Sequence, residues 1–254
     1  MTAASSTHAY VAGGRDPAVS PNQVDTIEKV SLTSDSNGVD IANLVEMRQG
    51  GSASSSGAHG YYVGGYNGSN TSDTIDKISL SSDSDATDVA EAAYPIQTQA
   101  GSTSTTHGYI SGGFNPALNP TPRINTIQKY PFSADSTTSD VAELTSARAA
   151  GTRDGQSSSG FGYFVGGNSP NGPPVNTIDK FPFSSDSPSS DVGELARTLQ
   201  GGSGQSSTDN GYTAGGSPYP VKNDIMKFPF SSDSPAVSSA TFDFSRENAS
   251  GSQV

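Results

Sequence analysis

Three sets of side chains recur regularly enough in this 254-residue chain to suggest chemistry. The first is histidine. His8, His59 and His107 each stand two residues before a tyrosine, and three imidazoles can hold zinc. The matching places further along are Phe161 and Asn210, so the set does not run through the chain. Matching positions on packed sheets also stand about 10 Å apart, whereas zinc needs each nitrogen at about 2.0–2.1 Å. A repeated structural place is the better reading, and no metal site is expected.

Acidic pairs form the second set: Asp35 and Asp40, Asp83 and Asp88, Asp135 and Asp140, Asp186 and Asp191. Calcium wants six to eight oxygens, but no dense D-x-D-x-D-G loop is present, and the fifth copy keeps Asp233 opposite Ser238. Aspartate in a serine-rich hairpin usually accepts from nearby backbone N–H groups, and that reading is preferred to calcium. Lysine is the third set, at Lys29, Lys77, Lys129, Lys180 and Lys227. Five lysines facing a channel would make an anion site. The alternative, that each pairs with a nearby carboxylate, is favoured, although the preceding residue (Glu28, Asp76, Gln128, Asp179, Met226) names no fixed partner.

Catalytic constellations are missing. Cysteine is absent, which removes thiol nucleophiles, disulfides and thiolate metal sites. Serine is abundant, yet no Gly-x-Ser-x-Gly elbow stands between a strand and a helix. The expectation is a protein without enzymatic activity and without a cofactor. A formal net charge of −12 argues against nucleic acid as a partner, because phosphate neutralisation needs clustered Lys and Arg. No apolar run reaches the 18 or so residues of a membrane helix, and no secretory signal is visible at the N-terminus; neither membrane insertion nor export by that route is expected.

The elements that carry these sets are repeats. A double glycine follows a tyrosine five times, at Gly13-Gly14, Gly64-Gly65, Gly112-Gly113, Gly166-Gly167 and Gly215-Gly216, with spacings of 51, 48, 54 and 49 residues. The fourth copy reads most clearly. Phe161 to Gly167 is an aromatic and β-branched run, Thr177 to Phe183 a second strand, Asp191 to Leu195 a weaker third, and Gly201 to Gln205 opens the next unit. Short strands between turn residues at even spacing predict an all-β fold with almost no helix. Pro131, Pro182 and Pro229 remove a backbone donor and predict outer or bulged positions for their strands.

A period near 50 residues matches the length of a propeller blade. The prediction is a single five-bladed β-propeller over residues 1–254, with about four antiparallel strands per blade. Ser245 to Val254 matches the segment before the tyrosine in other copies, and the first copy begins at Ser5 without it. The C-terminal strand is therefore expected to complete the N-terminal blade and close the ring.

Through the Gly-Gly that ends one strand and the Tyr/Phe-bearing strand that follows, the chain resembles kelch-like propellers. It departs from them in having no tryptophan and in its count of five. The phrasing Phe-Pro-Phe-Ser-Ser-Asp-Ser followed by Asp-Val-x-Glu-Leu is similar to that of predicted marine bacteriophage structural proteins. The resemblance implies a virion component (capsid decoration, fibre or tail-associated protein) whose partners are other structural proteins or a host-surface glycan or protein. A carbohydrate- or protein-binding propeller outside a virion is the alternative.

Binding residues are sought in the connections after each double glycine, which differ in length and collect on one face of the disc. Tyr66, Phe114 and Tyr219 are the candidates, since aromatics on rigid loops are frequent anchors. Simple drift of loop sequences accounts for the variation equally well.

Overall fold

A computed structural model describes residues 1–248 except Asn171 and Tyr219, together with Gly251. It is all-β: five sheets of four antiparallel strands arranged as a five-bladed β-propeller. Blade 1 holds β1 (Thr2–Ala4), β2 (His8–Arg15), β3 (Gln23–Ser31) and β4 (Val39–Asn43). Blade 2 holds β5 (Ser52–Ser55), β6 (His59–Tyr66), β7 (Thr71–Ser79) and β8 (Thr87–Glu91). In blade 3 these are β9 (Ala100–Thr103), β10 (His107–Ser111), β11 (Thr126–Pro131) and β12 (Ser139–Glu143). Blade 4 contains β13 (Gln156–Ser157), β14 (Phe161–Val165), β15 (Val175–Pro182) and β16 (Ser190–Leu199). Blade 5 contains β17 (Ser203–Ser206), β18 (Asn210–Ala214), β19 (Asp224–Pro229) and β20 (Val237–Thr241). Among the described residues the only helical element is a 3-10 turn, Pro116–Leu118.

Closure differs from the sequence expectation. Blade 1 takes all four strands from the N-terminal stretch, because three residues suffice for an inner strand: Thr2 pairs with Val11, Ala3 with Tyr10 and Ala4 with Ala9. The described part of the C-terminal segment adds no strand to that blade. The prolines also sit elsewhere than predicted. Pro131, Pro182 and Pro229 each end the third strand, which is paired on both sides, at a place where the ladder stops needing a donor.

Irregular alternation in the fourth strands has a local cause. In every blade the register between the third and fourth strands shifts after the repeat isoleucine, as between Ile127 and Gln128. Ile127 faces Ala142 while Gln128 faces Asp140, leaving Val141 as the extra residue. A bulge of this kind steepens twist and turns consecutive residues toward cover.

Apolar cores lie between blades. One cluster joins Tyr10 and Ile27 of blade 1 to Tyr62 and Ile78 of blade 2; equivalent clusters join blades 2 and 3, 3 and 4, and 4 and 5. The repeat tyrosine stacks on the next blade's aromatic, Tyr61 on Phe132 at 5.0 Å, Tyr109 on Phe183 at 4.8 Å and Tyr163 on Phe230 at 4.9 Å. Each such pair is worth about 0.5–1.5 kcal/mol beyond the area it buries. The glycine before that tyrosine lets a ring lie flat on the strand, since a Cβ on Gly162 would stand 2.3 Å from the Phe181 ring. The first glycine of each pair is needed for its backbone: Gly166 has φ +66° and a Cβ there would stand 2.7 Å from the Leu199 carbonyl.

Candidate functional site

Antiparallel order fixes what meets at each end of the disc. Turns from first to second strand and from third to fourth strand share one face, as the Leu32 amide bonding the Thr7 carbonyl shows. The post-glycine loops and the linkers between blades share the other.

The three recurrent sets have structural places. Each histidine ring leans on the tyrosine two residues later, at 6.4, 6.4 and 6.3 Å. The lysines pair across blades with the first aspartate of the next hairpin: Lys29 with Asp83 at 2.9 Å, Lys77 with Asp135 at 2.9 Å, Lys129 with Asp186 at 2.6 Å and Lys180 with Asp233 at 2.8 Å. The partner of four of the five lysines is thus fixed after all, but 53 to 58 residues away. The carboxylate bond raises the Lys29 and Lys77 pKa.

Two buried ion pairs stand beneath the loop face. Arg48 Nη2 lies 2.7 Å from Asp76 Oδ2 and Arg148 Nη2 lies 2.5 Å from Asp179 Oδ2, all four side chains fully buried. Arg148 also donates to the Gly166 carbonyl at 3.0 Å, and Asp179 accepts from the Thr145 amide at 3.0 Å. Burial lowers the Arg148 pKa, and the Asp179 carboxylate opposes that shift.

At the loop face, Tyr66 and Phe114 occupy the same repeat position, the first residue after the double glycine. Both are half-buried. Their backbones latch each loop to a linker: the Tyr66 amide donates to the Gln49 carbonyl at 2.7 Å, and the Phe114 amide to the Gln97 carbonyl at 2.8 Å. Asn168 and Ser217 make the same latch in blades 4 and 5. The Tyr66 hydroxyl donates to the Gly68 carbonyl at 2.8 Å. Tyr219 lies outside the described residues.

The central channel holds a site that the sequence reading missed. A mouth of about 450 Å³ on the hairpin face is lined by hydroxyls from every blade, with Asp154 at its base. Ser55, Thr103, Ser157 and Ser206 form a ladder around it, each accepting from the inner strand of the preceding blade, as Ser157 Oγ does from the Thr103 amide at 2.9 Å. Asp154 is only 4% exposed. Its Oδ2 accepts from the Gly251 amide at 2.7 Å, while Oδ1 has no hydrogen-bond partner among the described residues. Burial pushes this carboxyl upward; the Met1 ammonium, the Gly251 and Thr2 amides and Arg153 pull the other way. Arg153 reaches the opposite mouth, where Nη2 donates to Asn248 Oδ1 at 2.8 Å.

The signal for this site was the spacing of 54. From Arg148 to Gln156 the fourth unit runs two residues longer than Arg48 to Ser54 or Leu199 to Gln205, and the extra residues fall at Arg153-Asp154. No protein-family model matches this chain, and no curated protein matches it either. Among the described residues, no helix is long and apolar enough to cross a membrane.

Proposed function

We propose that the protein is a non-catalytic interaction module that docks through its post-glycine loop face. The contrast between the two faces carries this reading. The hairpin face is uniform and tied blade to blade by the same lysine–aspartate pair in four successive interfaces. The loop face varies in length from blade to blade, yet the loops of blades 2 to 5 are each latched to a linker. Varied loops on a stiff scaffold are where recognition usually resides. Tyr66 and Phe114, with Tyr219, are its proposed anchors.

The proposed setting is a bacteriophage particle, as a capsid-decorating, fibre or tail-associated component, with other structural proteins as partners. The kelch-like repeat and the Ser/Asp-rich phrasing support this setting. Mass spectrometry of particles produced from the encoding genome should find the protein in stoichiometric amount. A folded Tyr66→Ala/Phe114→Ala variant should be left out of those particles. Particles without the protein, or full incorporation of the double variant, would overturn the proposal.

The hydroxyl-lined mouth above Asp154 favours a second reading, a carbohydrate-binding propeller. The serine and threonine hydroxyls that line the mouth match the hydroxyls of a polyhydroxylated ligand. Binding on a glycan array that Asp154→Ala abolishes would establish that reading in place of the first.

A further inference from the structure

At its loop end the central channel opens into a cavity of about 650 Å³, within the range of about 300–1,000 Å³ that small-molecule sites occupy. Two arginines line it, Arg15 at the rim and Arg153 deeper in, and no carboxylate does among the described residues. The chain as a whole carries 25 acidic residues against 13 basic ones. A local excess of cations in such a chain is a focus for anions.

Arg153, from the lengthened stretch of the fourth unit, reaches across the channel. Its Nη2 donates to Asn248 Oδ1 at 2.8 Å, and its Nη1 stands 3.6 Å from where a Cβ on Gly50 would be. Nε and Nη1 make no hydrogen bond among the described residues, and Nε is closed off from solvent. Arg48 and Arg148, the other two guanidiniums deep in the fold, each meet a carboxylate. Arg153 forms no ion pair among the described residues. Burial lowers its pKa, and Asp154 and Glu247 oppose that shift from farther off. A guanidinium withdrawn from water costs free energy unless an anion compensates it, and the open side of this one is the mouth.

The rim is tied and strained. Five linker residues in equivalent places, Gly50, Thr98, Ala150, Gly201 and Asn248, hold φ between +56° and +72°. Their amides chain one linker to the next: Thr98 to the Gly50 carbonyl at 2.6 Å, Ala150 to Thr98 at 2.9 Å, Gly201 to Ala150 at 2.8 Å and Asn248 to Gly201 at 2.6 Å. A left-handed backbone at a β-branched residue such as Thr98 is an outlier, and such strain gathers at ligand clamps. Gln49, Gln97 and Thr98 add polar side chains to the lining, none of them hydrogen-bonded among the described residues.

A planar guanidinium suits a carboxylate, and a side-chain amide, which offers both donor and acceptor, suits hydroxyls. We propose that the loop-end mouth binds a small hydroxy acid, its carboxylate on Arg153 and its hydroxyls on the Gln49 and Gln97 amides, with Arg15 drawing the anion in from the rim. The volume favours a free acid over the acidic side chain of a docked protein, which would fill little of it. Tyr66 and Phe114 do not line the cavity, so this site does not rest on the docking reading.

Nuclear magnetic resonance on the ¹⁵N-labelled full chain tests this, with sodium glucuronate as the probe and glucose and inorganic phosphate as controls at matched ionic strength. Glucuronate should shift the Arg153 Nε–H and Thr98 amide signals to saturation, while glucose and phosphate leave them in place. Arg153→Gln should weaken glucuronate binding about tenfold or more. Arg15→Gln alters only an exposed side chain and carries the test where Arg153→Gln does not fold; it should weaken binding about two- to fivefold. The proposal is overturned by the lack of a saturable shift with glucuronate, by equal shifts with glucose or phosphate, or by unaltered affinity in either folded variant.

Discussion

Arg148 and Arg246 hold the same place in the repeat, yet one is sealed between two blades and the other is exposed. Arg148 lies against Asp179 with no exposure, under Phe164 at 5.1 Å. Arg246 instead stacks on Phe242 of its own blade at 5.1 Å. The difference teaches what a blade contributes alone. Its hydrogen-bonded ladder forms in every unit, but burial needs a neighbour. A residue type therefore acquires its energy from the next unit and not from its own, as in other stacked repeats.

The largest expected effect is on the sealed side. Asp179→Ala leaves the Arg148 guanidinium buried without its partner and should cost about 3–5 kcal/mol in urea unfolding. Arg148→Leu combined with Asp179→Met, the pair that Leu199 and Met226 already form, should recover most of that loss. A double variant no more stable than Asp179→Ala would break the equivalence of the interfaces.

Asp154→Ala should come next, at about 1.5–3 kcal/mol, the range for hydrogen bonds to a charged group. Hydrogen exchange sharpens the contrast here. Protection should fall at Thr2 to Ala4 and at Gly251, while β5 and β9 keep theirs. Uniform loss across all inner strands would show that Asp154 supports the whole ring and not Thr2 and Gly251 alone.

Gly166→Ala should cost about 1–3 kcal/mol, since a left-handed backbone is strained for any residue with a Cβ and the Leu199 carbonyl blocks the site. Thermal melting measures it, and an unchanged midpoint would reduce the double glycine to a loop marker.

The smallest effect discriminates most. Lys180→Ala breaks a pair whose aspartate is exposed and should cost about 0.2–1 kcal/mol. Lys227→Ala, whose side chain makes no ion pair among the described residues, should lose less, and an equal loss would break the contrast.

Much of the blade was legible in the residues. Tyrosine, double glycine and isoleucine recur because each serves the same local geometry, so the strands of the fourth unit fall within a few residues of where the runs of Phe161, Thr177 and Asp191 put them. Less of the candidate site was legible. Tyr66 and Phe114 could be placed on the loop face from strand order, but not their latch to the linker residues Gln49 and Gln97, 17 positions earlier in the chain. Asp154 carried only the signal of an overlong unit, and its partners lie at the two ends of the chain.

The sequence alone thus determined the repeat, its all-β character and the number of blades, because turn chemistry, β-branching and glycine act within a few residues. Tertiary structure decided which charges meet. Lys129 has Asp135 and Asp140 nearby in sequence, yet pairs with Asp186, because the packing of blade on blade and not chain proximity brings a carboxylate to it. The same holds at the chain ends: an inner strand of three residues satisfied blade 1 from its own side, and Gly251 donates to the buried carboxylate in the channel.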